Sequence, residues 1–291
     1  MFNFMKYKLL YFLISGAVIL PGVISFLFFG FNLSIDFTGG TLWEVRLASS
    51  QKPVVGSGIK EIFEGEGLSA EVQSSGENQF LIKTVPLDPS QRQRLAEKLK
   101  TALGDFEELR FETLGPKLGS ELLRKSAVAV ALAILALFSY IAYRFRHWLF
   151  GAAAILAVFH DILVLLGVFS LLGYFRQVPI DTLFVTAVLT TLSFSMHDTI
   201  VVFDRIREIR RRSGFSLEEA INQAVGETLV RSLNNSLTIV FMLVALLLLG
   251  GETLRYFVLA LLVGTITGTY SSTFNAAPLL LVLERFSRRR S

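Results

Sequence analysis

No cysteine occurs in the 291 residues, so disulfides and thiolate nucleophiles are both excluded, and any domain facing an oxidising compartment must rest on its own core. Histidine is scarce at 3 copies, and the chain contains no H-E-x-x-H and no G-x-S-x-G, which removes the common zinc-hydrolase and serine-hydrolase signatures. No catalytic residue, metal or cofactor is expected. Charge is thin as well: Asp, Glu, Lys and Arg make up 18% of the chain against 52% hydrophobic residues. With a mean hydropathy of +0.56, that balance excludes a soluble domain.

What is present is a set of apolar runs of bilayer length. Candidate spans cover residues 9–31, 126–143, 149–173, 181–204, 232–250 and 256–283. The first follows Lys6 and Lys8, as a secretory signal would, but Leu9 to Phe31 runs for 23 residues without an A-x-A exit and reads as an uncleaved anchor. Lys and Arg fix the orientation. With a cytoplasmic N-terminus, fourteen of them fall on the inner side (Arg144, Arg205, Arg231 and Arg285 among them), against Arg176 and Arg255 in the short outer loops. The net charge of +4 therefore reports membrane orientation and implies no nucleic acid. The expected organisation is an N-terminal segment with the first span (1–31), an extracytoplasmic domain (32–125), a five-helix bundle (126–285) with a cytoplasmic helical loop at 205–230, and a basic tail (286–291).

Within the outer domain, Thr41 to Leu47 alternates as a strand, Ile59 to Phe63 has a helical pattern, and Leu68 to Gln73 and Gln79 to Val85 again read as strands. Pro89 and Ser90 open a second helix that Gly104 stops, and Phe106 to Leu114 is a last strand. The order β-α-β-β-α-β predicts a ferredoxin-like α+β domain inserted between the first and second of six transmembrane helices. Residues 32–125 hold 12 basic and 14 acidic residues, which fits a solvated face better than an anion site. Before the first strand, Asp36, Phe37, Thr38, Gly39 and Gly40 form a motif whose paired glycines allow a sharp turn or close backbone approach. It lacks the spacing of a phosphate loop.

The fourth span carries the costliest residue. Asp198 sits in the run Asp181 to Asp204, otherwise uncharged between its ends, and an ionised side chain near mid-span costs roughly 2.5–3.5 kcal/mol on insertion scales. Such residues mark ion pathways or pair with a basic residue that locks two helices together. Thr191, Ser195, Asp198, Val202 and Arg205 share one helical face. Arg231, Asn234, Asn235 and Thr238 form a second polar stripe opening the fifth span, and Gly264, Gly268 and Ser272 form a small-xxx-small track on the sixth, where Thr265 offers a hydroxyl. A hydrolase reading of Ser195, His197 and Asp198 fails, because His197 lies about 200° round the helix from Ser195. His197 reads as a packing histidine that tunes its neighbour. Asp204 is expected to meet Arg205 or Arg207 at the inner end, and Asp161 in the third span is an additional acidic candidate.

Several blocks together resemble SecF of the SecD/SecF family of bacterial protein-export membrane proteins: Ser34-Ile-Asp-Phe-Thr-Gly-Gly-Thr41, Leu114-Gly-Pro-Lys-Leu-Gly-Ser-Glu-Leu122, Asp198-Thr-Ile-Val-Val-Phe-Asp-Arg-Ile-Arg-Glu208, Arg231, and Gly250-Gly-Glu-Thr-Leu-Arg255. The resemblance implies a half-transporter of the resistance-nodulation-division superfamily in the cytoplasmic membrane. It implies pairing with SecD, work beside the SecYEG channel, YajC and YidC on unfolded preprotein, and use of the proton-motive force. Asp198 and Arg231 are the matching positions of the family's proton pathway; Ser195, His197, Asn234, Asn235 and Thr265 join them here through the polar stripes. His197 stands where relatives usually carry Asn. The alternative is a structural subunit that stabilises SecD and the channel without carrying protons; a drug exporter is disfavoured by the small outer domain.

Overall fold

The computed structural model describes residues 3–48, 56–76 and 78–290. The chain divides into two compact units, Leu33–Ala127 and a second made of Met1–Asn32 with Val128–Ser291.

The smaller unit opens with a helical turn, α2 (Ile35–Thr38), which follows the first transmembrane helix α1 (Lys8–Phe29) and leads into β1 (Gly40–Leu47). Ser34 caps that turn by accepting from the Asp36 amide. Gly39 and Gly40 take φ values of +74° and +129°, and a Cβ on either would lie 2.7 Å from Pro116 Cα or 2.8 Å from the Thr84 carbonyl oxygen. The paired glycines are thus required by backbone sign and by space. After β1 come α3 (Gly56–Glu64), β2 (Ala70–Gly76), β3 (Gln79–Thr84), α4 (Pro89–Leu103) and β4 (Phe106–Leu114). The sheet order is β2-β3-β1-β4 and every pairing is antiparallel. This is the split β-α-β-β-α-β arrangement, with β2 beginning at Ala70 where alternation placed it at Leu68.

Alternation on β1 sends Trp43, Val45 and Leu47 inward, where Ile59 and Phe63 of α3 and Leu95 and Leu99 of α4 close the core. Trp43 meets Phe63 and Phe111 edge-on, at 6.4 and 5.3 Å between ring centroids. Phe63→Ala is expected to destabilise this unit by about 3–5 kcal/mol, the range for emptying a buried phenyl site. Urea unfolding of the full chain followed by Trp43 fluorescence measures it, with an unchanged midpoint as the contrary result.

Asp88 opens α4 with a capping box: it accepts from the Gln91 amide at 2.8 Å while Gln91 reaches back to the Asp88 amide. A hydrogen bond from the Ser90 hydroxyl, then the Gln91 amide, holds the Asp88 carboxyl below its ordinary 3.8. Lys98 does the same for Glu66, below its ordinary 4.5. A carboxyl depressed on folding contributes stability above its unfolded value and loses it as pH falls through the folded value. The unit is therefore expected to lose stability below about pH 4 and to be insensitive from pH 6 to 8. Melting followed at Trp43 across that range tests the sign.

Six helices among the described residues are long and apolar enough to cross a membrane. They are α1 with a 3-10 turn before it, α5 (Pro116–Phe145), α6 (Trp148–Arg176), α7 (Thr182–Ser213), α8 (Leu217–Leu249), and a sixth built from α9 (Glu252–Ser271), a π-helical turn (Ser272–Ala276) and α10 (Ala277–Arg290). Two boundaries differ from the sequence reading. The helix of the second span starts at Pro116, well before residue 126. Residues 205–230 form no separate helical loop: α7 and α8 simply continue, and only Gly214 to Ser216 join them, with Ser216 and Glu219 forming a capping box on α8. Their extensions are tied by Arg205–Glu227, and to α10 by Arg210–Glu284 and Arg285–Glu218. Helix α1 crosses α6 at Gly22 and Gly167, where a Cβ on either glycine would lie 2.6 Å from the other's Cα.

Candidate functional site

Asp181 caps α7 by accepting from the Phe184 amide, and the helix then buries Thr191, Ser195, Asp198 and Val202. Asp198 is 9% exposed, and its Oδ2 accepts from the Ser232 hydroxyl of α8 at 2.7 Å. Arg205 leaves the buried track and pairs with Glu208 and Glu227. Asp204 pairs with Arg144 from the end of α5 at 3.1 Å, replacing the expected partners Arg205 and Arg207.

The fifth span is turned relative to the sequence reading. Arg231, Asn234, Asn235 and Thr238 are exposed, and the face packed inward carries Thr228, Ser232 and Ser236. The two stripes differ by one residue, about 100° of rotation. The serines win the inside because a hydroxyl satisfies itself with one partner, whereas a guanidinium or carboxamide needs several. Arg231 forms no hydrogen bond or ion pair among the described residues. Asn234 lies away from the site, its carbonyl taking the Thr238 hydroxyl. Asn235 and His197 are exposed on their helices yet line a cavity of about 20 Å³ shared with Ser195, Asp198, Ser236 and Thr265. That is room for about one water.

Helix α9 reaches α7 through its glycines. A Cβ at Gly264 would collide with the Thr191 hydroxyl, and one at Gly268 would lie 3.0 Å from Ser195 Cβ. Thr265 and Thr269 turn their hydroxyls to backbone carbonyls one turn earlier, and Thr269 Oγ1 also lies 2.6 Å from the Ser236 hydroxyl. Close approach brings a second acid into the network. Asp161 of α6 is fully buried (0% exposed), and its Oδ2 accepts from Ser195 and from Ser271 of α9, the latter at 2.8 Å. His160 Nδ1 stands 3.0 Å from its Oδ1.

Of the sequence candidates, Asp198, Ser195, His197, Asn235 and Thr265 come together around one cavity; Arg231 and Asn234 do not. Ser232, Ser236 and Ser271 carried no signal beyond small polar residues in apolar runs. His160-Asp161, a polar pair inside the third span, did. Among the described residues no group of three His, Asp or Glu is placed to hold a metal. The site has two buried carboxylates met by hydroxyls, groups suited to holding and passing protons.

A six-helix bundle with two buried mid-span carboxylates and a split βαβ unit after its first helix defines a multi-pass membrane protein with an inserted α+β domain. The model of "Protein export membrane protein SecD/SecF, C-terminal" matches residues 94–286, and that of the SecD/SecF GG motif matches residues 24–50. The chain is 42% identical to the protein translocase subunit SecF of Thermobaculum terrenum, covering 98% of this chain and 94% of that one, and 39% identical to SecF of Anaerolinea thermophila over 98% and 94%. It is similar to the crystal structure of SecDF from Thermus thermophilus, a translocon-associated membrane protein, with a TM-score of 0.86 and 34% identity over 98% of this chain. There it spans 39% of the longer chain. The chain belongs to the SecD/SecF family of protein-export membrane proteins, as a SecF-type subunit.

Proposed function

We propose that this subunit is one half of a proton-driven export machine, paired with a SecD-type half and acting beside the SecYEG channel, YajC and YidC on unfolded preprotein. It sits in the cytoplasmic membrane with both termini inside, is not an enzyme, and carries protons at Asp198. The observation that carries this reading is a mid-span carboxylate, nearly buried, bonded to a neutral hydroxyl and flanked by a water-sized cavity. A hydroxyl can accept from the protonated acid as well as donate to the carboxylate, and with no cation bonded directly to Asp198 the acid can hold its proton. The disengaged position of Arg231 belongs to that state; movement of α8 toward α7 presents the guanidinium, favours the carboxylate and releases the proton. A potential of about 150 mV supplies roughly 3.5 kcal/mol per charge carried across.

The rival structural role draws on the same fact, the absence of an Asp198–Arg231 pair. Vesicles holding the subunit, its SecD-type partner and the channel separate the two. Stimulation of preprotein export must vanish when the proton gradient is collapsed; stimulation that survives an uncoupler leaves only the structural role.

A further inference from the structure

Asp161 has no place in the mechanism above, yet it is the most enclosed acid of the bundle. Three polar groups converge on it from three helices: the His160 ring of α6 and the donating hydroxyls of Ser195 of α7 and Ser271 of α9. Among the described residues no Lys or Arg pairs with it. A carboxylate lacking all partners would be too costly here, and one locked to arginine would never release its charge. These contacts make the ionised form tolerable without making it permanent.

The surroundings complete the account. His160 Nε2 is buried and has no partner, so the Nδ1 contact with Asp161 is the ring's one hydrogen bond among the described residues. The ring lies on Tyr270 of α9, centroids 6.2 Å apart, and the Tyr270 hydroxyl donates to the Tyr11 carbonyl of α1. From α7 the titratable neighbours are Asp198 and His197. Those of α10, Glu284 and Arg285, are engaged with Arg210 and Glu218. Ser195 is the link: its hydroxyl donates to Asp161, and it lines the cavity that Asp198 also lines.

We propose that Asp161 and His160 form a second proton-holding station, joined to Asp198 through the Ser195 hydroxyl and the water-sized cavity between them. The inference rests on the proton-carrying reading of Asp198. Empty, the Asp161 carboxylate accepts from the Nδ1–H of a neutral imidazole. To load it, the Asp198 carboxyl gives its proton to a water in the cavity, the water passes one to Ser195 Oγ, and Ser195 passes its own to Asp161 Oδ2. Asp198 ends one proton poorer and the Asp161–His160 pair one richer, with water and serine unchanged. The loaded pair is a carboxylic acid beside a neutral imidazole.

The test uses the subunit co-purified with its SecD-type partner and reconstituted, reading proton flux against pH. Asp161→Asn and Ser195→Ala are each expected to cut flux at least about tenfold, as loss of a positioned proton-transfer group does. His160→Gln is expected to move the pH of half-maximal flux by about one unit, which a purely structural residue does not do. Where Asp161→Asn fails to assemble, infrared titration of Asp198→Asn decides: a protonated-carboxyl band that titrates and shifts on adding His160→Gln supports the station, and no such band overturns it. Flux with wild-type size and pH midpoint in Asp161→Asn also overturns it, provided Asp198→Asn is dead. Unaltered flux in Asp198→Asn removes the proton-carrying reading, and this station with it.

Discussion

Asp198→Asn is expected to lower proton flux through the reconstituted complex by about 100-fold or more, the scale on which positioned proton-transfer groups act. The substitution keeps shape and volume, and the new carboxamide oxygen still accepts from Ser232, so the α7–α8 contact at 2.7 Å survives. What disappears is the ability to bind and release a proton. Since no ion pair holds Asp198 in the structure, removing its charge leaves no partner unpaired, so complex yield should match wild type and stability should stay within about 1 kcal/mol of it. Flux measured with a pH-sensitive dye, alongside size-exclusion yield, provides both numbers. Loss of yield in proportion to loss of flux would assign Asp198 to assembly.

Gly264→Leu is expected to have a large effect on the stability of the bundle. Even a Cβ at Gly264 meets the Thr191 side chain, and a full leucine must push α9 away from α7 over more than a turn. Overpacking of this kind costs about 1–3 kcal/mol and more where backbone moves. At about 2–4 °C per kcal/mol, melting should fall by roughly 6–12 °C for a cost near 3 kcal/mol. The predicted rescue is specific. Thr191 Oγ1 is buried without a hydrogen-bond partner, so Thr191→Gly loses no bond and clears the site for Gly264→Ala. The double variant should be more stable than Gly264→Ala alone, a coupling that independent sites would not show.

Much of the fold was legible because its signals are long or punctuated. Six apolar runs stand out against 18% charge, and Pro89 with Gly104 brackets α4 so closely that both ends fall where the structure has them. Alternation made Thr41 to Leu47 legible as a strand, and the structure buries its Trp43, Val45 and Leu47. The site was legible at Asp198, because a lone acid in an apolar run is too costly to keep unless it pairs or handles charge. It was not legible on α8. Polar residues at both Arg231 and Ser232 give two stripes one residue apart, and periodicity alone does not choose between them. Nor does spacing along the chain reveal that Ser195 and Ser271 meet on Asp161, since that convergence depends on the crossing that Gly264 and Gly268 permit.

The uninterrupted course of α7 through the membrane and beyond it has a mechanical corollary. Asp198 and Ser213 are about 22 Å apart along one rigid rod at the usual rise per residue. A rocking of about 5° at the acid displaces the Gly214–Ser216 tip by about 2 Å on that geometry. Because α8 leaves the same tip as an equally unbroken rod, any tilt of the two helices at the mid-membrane acid is carried, enlarged, to the basic end of the bundle.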